Sequence, residues 1–88
     1  MDMDTMLEML KVDLGISTTA YDTRLTTYLQ SAKISIRTEG IDIDESVISD
    51  ANLIITYAGW LWRKRDTNEG MPRMLRWQLN NRLFDEKV

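Results

Sequence analysis

Few side chains in this 88-residue chain could do chemistry, and neither histidine nor cysteine is among them. That absence removes the commonest general base, the Ser–His and Cys–His nucleophile pairs and the usual zinc ligands. Carboxylates are what is left. Asp42, Asp44 and Glu45 lie close together, and Asp42-x-Asp44-x-Ser46 has the opening of a calcium loop. Val47 stands where such a loop needs glycine, and Leu53 where a bidentate glutamate closes it. These acids therefore read as helix-capping groups. The four glycines are widely separated and form no phosphate-cradling loop. No catalysis, cofactor or metal is expected.

The concentrated charge is basic. Arg63-Lys64-Arg65 forms one block, and Arg73, Arg76 and Arg82 extend it around Trp77. Cations at a helix C-terminus complement its dipole, which is the structural reading of the block. As a surface, the same arginines could hold an anion, stack on Trp77, or pair with acids of another subunit. The net charge of −3 and pI near 4.8 argue against duplex DNA as the anion. Charge is uneven along the chain: residues 1–44 carry four basic and eight acidic side chains, residues 45–88 seven and six. Pairing of the two halves across a subunit contact explains that asymmetry without nucleic acid.

These residues need elements to hold them, and the spacing predicts an all-α bundle of about four helices in one domain over 1–88. The first runs from about Asp4 to Leu14, capped by Asp2 or Asp4 and stopped by Gly15. Tyr21, Leu25, Tyr28, Leu29, Ala32 and Ile36 make the apolar stripe of a second helix that ends at Gly40. Ile41 and Ile43 read as anchors in a connection. Asp44 or Ser46 caps a third helix reaching about Arg65, and Pro72 opens a fourth that reaches about Leu83. Phe84 to Val88 reads as a frayed tail or docking peptide. No run approaches a membrane span, and the acidic start is unlike a signal peptide, so a soluble protein made in a cytoplasm is expected.

The third helix is the informative one. Val47, Ile48, Ala51, Ile54, Ile55, Ala58 and Trp62 form a core stripe. Leu53, Tyr57 and Trp60 form a second stripe on the other side. A helix that is apolar on two sides is buried on two sides. Either the other helices cover both faces, or Leu53, Tyr57 and Trp60 meet another subunit, as tyrosine and tryptophan often do. A chain this short has little material to wrap a helix, and a domain of its size buries only roughly 60 to 65% of its unfolded surface. The second reading gives an expected interface of Leu53, Tyr57 and Trp60, with Arg63, Arg65, Arg73, Arg76, Trp77 and Arg82 around it.

Three stretches together resemble the phage head–tail connector (adaptor) family. Met6-Leu7-Glu8-Met9-Leu10 leading to Leu14-Gly15-Ile16 is similar to its first helix and turn. Tyr21-Asp22-Thr23-Arg24-Leu25 through Ala32-Lys33 is similar to its second helix. Ile54 to Asp66, then Gly70-Met71-Pro72-Arg73-Met74-Leu75-Arg76 and Leu79-Asn80-Asn81-Arg82-Leu83, are similar to its third helix, loop and last helix. The resemblance implies a helical virion protein, made in the host bacterial cytoplasm and located at the head–tail interface. It implies a homo-oligomeric ring beneath the portal protein that receives a stopper or tail-completion protein. It also implies a channel through which DNA passes without sequence-specific binding. Many relatives carry further C-terminal sequence, and binding elements placed there have no counterpart here. Two other functions fit the residues: a small helical DNA-binding regulator of a mobile element, with Arg73, Arg76 and Arg82 on phosphates, and a module that binds a host protein. A regulator would need a recognition helix, and neither the apolar third helix nor the Met71-Pro72-Arg73-Met74 opening of the fourth resembles one.

Overall fold

In the computed structural model, which describes residues 1–87, the chain forms four helices: α1 (Met3–Leu14), α2 (Asp22–Thr38), α3 (Ile48–Thr67) and α4 (Arg73–Lys87). No strand occurs among the described residues. The local signals act largely as the sequence suggests. Asp2 caps α1, its carboxylate accepting from the Thr5 N–H at 2.8 Å. Gly15 closes α1 in the left-handed conformation at φ 71°, and its N–H reaches back to the carbonyls of the last turn. Glu39 caps the end of α2, and Gly40 follows it at φ 94°. Asn68 ends α3 in the left-handed region, donating to the Lys64 carbonyl at 2.8 Å. Asparagine is the non-glycine residue best suited to that conformation.

α3 is the axis of the fold and packs against each of the other three helices. Its small residues explain how. Gly59 faces α1 so closely that an added Cβ would lie 3.7 Å from Leu10 Cδ1. Ala51 and Ala58 are fully buried, and Ile54 and Ile55 nearly so. Around this helix gather Met6 and Leu10 from α1, Leu25, Leu29, Ala32 and Ile36 from α2, Ile41 and Ile43 from the connection, and Leu75 and Leu79 from α4. Ile41 and Ile43 thus anchor the 41–44 segment as expected. Lys11 and Asp22 join α1 to α2 through an ion pair of 2.9 Å.

Three details differ from the sequence reading. Asp44 and Ser46 do not cap α3; the Asp44 carboxylate accepts from the Ser46 N–H at 3.0 Å and from its hydroxyl at 2.7 Å, closing a turn ahead of the helix. α3 starts beyond that turn with Val47 at its cap position and no side-chain cap. Val47 and Ile48, placed by their spacing on the core stripe, are exposed, whereas Asp50 and Ala51 of the same turn are buried. Finally, 84–87 is not a frayed tail but continues α4; Val88 lies outside the described residues. The molecule is a slab of 42 × 29 × 18 Å, thin enough that α4 is covered on one side only.

Candidate interaction surface

Leu53, Tyr57 and Trp60 are placed by the fold inside the chain, with 7, 7 and 8% of their surfaces exposed. They belong to one cluster with Leu75 and Leu79, so α4 lies across them. Tyr57 and Trp60 meet edge to face at 5.4 Å, and the Trp60 indole N–H donates to the Gly70 carbonyl at 3.1 Å. A buried indole needs such an acceptor, and the 66–72 loop supplies it. The expected subunit interface is corrected at these three positions. The chain does have material to wrap α3, and it is α4.

The arginines divide by what α4 does with them. Arg82 points inward. Its Nε and Nη2 donate to the two Asp50 carboxylate oxygens at 2.8 and 3.0 Å, Nη2 also donates to the Asp42 carbonyl at 3.0 Å, and Nη1 lies 3.1 Å from Glu86 Oε1. Asp50 is 3% exposed and accepts a third bond from the Asp44 N–H. The Arg82 hydrogen bonds hold the Asp50 carboxyl below its ordinary range, against the opposing effect of burial, and the Arg82 guanidinium is stabilised in turn. Arg76 grips Glu39 with two bonds, at 2.9 and 2.8 Å, which ties α4 to the end of α2. Arg63 lies 3.5 Å from Glu69. Arg65 stacks on Trp62 at 3.5 Å from the ring centre and donates to the Trp62 carbonyl. Four of the five arginines expected at an interface are therefore engaged within the chain. Arg73 makes no ion pair among the described residues.

The other face of α4 is where apolar surface meets solvent. Met74, Trp77 and Phe84 are 64, 62 and 67% exposed. At 100° per residue they fall on one side of the helix, opposite Leu75 and Leu79, with Arg73 beside them. Between this ridge and α3 runs a shallow groove of about 290 Å³, floored in part by Leu53 and bounded by Trp77, Gln78 and Asn81. Of the nine expected interface residues, Arg73 and Trp77 are thus on a free face. Met74 is not among the nine, and Phe84 enters the sequence reading only as the start of a tail or docking peptide. The signal that would have found them is the second apolar period in Arg73–Phe84, offset from the leucines.

A second, smaller apolar patch lies on α1. Val12 is 79% exposed and Met9 partly so, and they line a concavity with Glu8 and Asp13. Neither acid makes an ion pair among the described residues. The remaining aromatic cluster is self-contained: Tyr21 and Tyr28 meet Trp62 edge-on at 5.3 and 6.2 Å while Arg65 covers its face. Among the described residues no acidic group gathers a metal site, and no helix is long and apolar enough to cross a membrane.

Comparison with known protein families, with curated proteins and with solved structures finds no match to this chain.

Proposed function

We propose that the chain is a structural subunit of a phage head–tail connector, assembling as a ring beneath the portal and presenting a docking surface to a stopper or tail-completion protein. The observation that carries this reading is the outer face of α4. Met74, Trp77 and Phe84 form a ridge that a lone soluble chain has no reason to expose. Met74, with Arg73 beside it, lies within the stretch at the start of the last helix whose residues resemble the connector family. The virion setting and the DNA channel follow from that resemblance.

The DNA-binding alternative loses support at the residues it needs, because Arg76 and Arg82 are held by Glu39 and Asp50. That leaves Arg73 as the free guanidinium on α4, where phosphate contacts would require several. The test is native mass by light scattering across a concentration series, with and without a portal protein, and negative-stain imaging of any large species. Closed rings, alone or on the portal, are the expected result. A compact dimer that retards duplex DNA in a salt-sensitive way would replace the connector with the regulator. A monomer that ignores every portal offered would remove the connector role.

A further inference from the structure

We propose that the α4 ridge of one copy seats on the α1 patch of the next, Met74 and Trp77 against Met9 and Val12, with Arg73 meeting Glu8 and Asp13. The inference rests on the self-assembling reading above and specifies its contact. Several observations select a second copy as the occupant. Both patches are small, open and largely apolar, made by Arg73, Met74 and Trp77 on one helix and by Glu8, Met9, Val12 and Asp13 on the other. Their rims are opposite in charge. The three rim residues are also free of ion pairs among the described residues, whereas the other α4 arginines, Arg76 and Arg82, have partners. One chain therefore carries both halves of a complementary pair.

The patches lie on different helices, each packed on α3 at a different side. They do not cover one another within the same molecule, since Val12 and Met74 stay 79 and 64% exposed. Contact between different patches of identical chains either closes reciprocally across a two-fold axis or is heterologous, and in the second case repetition carries it into a closed ring or an open filament; a ring takes the second case. A symmetric dimer through α4 alone would set Arg73 near its own copy across the axis and leave Glu8 and Asp13 without partners. Each contact is small, so assembly depends on closure or on a template holding neighbours together.

The chain has no cysteine, so single cysteines report contacts cleanly. Val12→Cys and Met74→Cys are prepared separately, both at exposed positions, and treated with a short bis-maleimide singly and mixed. The expected result is a covalent dimer in the mixture and none from either variant alone; the double variant gives a ladder. Arg73→Glu abolishes the mixed product, and combining it with Glu8→Arg and Asp13→Arg restores it. Dimers from Met74→Cys alone would overturn the proposal in favour of a symmetric contact. A mixture yielding no more product than a cysteine placed at Ser35 would overturn it as well. Rings seen by light scattering without the mixed product would remove this contact and leave the connector reading standing. The mixed product in a chain that never engages a portal would keep the contact and remove the connector.

Discussion

Two apolar stripes of similar make-up have opposite fates in this molecule. Leu53, Tyr57 and Trp60 on α3 are covered; Met74, Trp77 and Phe84 on α4 are not. Each contains an aliphatic side chain, a tryptophan and a second aromatic at helical spacing, so composition does not separate them. Position in the stack does. α3 meets α1 at Gly59 and α2 through Trp62, which packs against Tyr28, while Tyr57 and Trp60 lie on the side closed by α4 and the 66–72 loop. α4 packs on α3 through Leu75 and Leu79 and leaves its other face in solvent. One stripe is therefore an interior and the other an available surface. The largest test of that contrast is Trp60→Ala. Truncating a buried tryptophan costs about 3–5 kcal/mol, so urea unfolding should show a loss of that size, a large share of the stability of a domain this small. Loss of assembly with stability intact would return Trp60 to the interface.

α4 is held in place on its inner face by polar groups as well as leucines, and those bonds decide which side faces outward. Arg82→Ala leaves Asp50 almost wholly buried without its main partner. Removing one member of a buried pair costs about 3–5 kcal/mol. The loss should fall at the lower end, because the Arg82 side chain keeps 25% of its exposure. The pH dependence carries the same information. The folded Asp50 carboxyl titrates below its unfolded value of about 3.9, so its contribution is present above that value and is lost as pH falls through the folded one. Urea midpoints measured between pH 5 and pH 2 should fall in the native chain more steeply than in Arg82→Ala. Equal acid slopes would mean that the Arg82 bonds are not what lowers Asp50.

How much of this was legible in the sequence depends on whether the deciding interaction is local. The ends of α1 and α2 were legible because Asp2, Gly15 and Gly40 act on their own turns. The two apolar sides of α3 were legible from spacing, but the covering of the second was not, since spacing says that a face wants burial without naming the neighbour. Asp50 carries no local signal of its role; its partner is Arg82, 32 residues away. Val47 and Ile48 fit the core period and yet are exposed, while Asp50 and Ala51 beside them are buried. Arg73 and Trp77 were singled out and do lie on a free face. Met74 was passed over, and Phe84 stood only for the start of a tail or docking peptide, since residues 71–84 offer apolar side chains on both sides of the helix and the period of one stripe hides the other.

Trp77→Ala gives the smallest effect on stability and the sharpest separation of the two stripes. Trp77 has 62% of its surface in solvent, so truncation leaves little cavity and removes little buried area. Surface substitutions of this kind stay within about 0.5 kcal/mol. Urea unfolding of Trp77→Ala should therefore overlay that of the parent chain, with the same helical content by circular dichroism. Assembly should not survive so well. Tryptophan dominates the contacts in which it takes part, and here it stands midway along the ridge between Met74 and Phe84. Loss of ring formation or portal binding with unchanged unfolding would mark α4's outer face as the working surface. A destabilisation matching that of Trp60→Ala would mean that Trp77 packs inside the chain, and that α4 presents a different side from the one described.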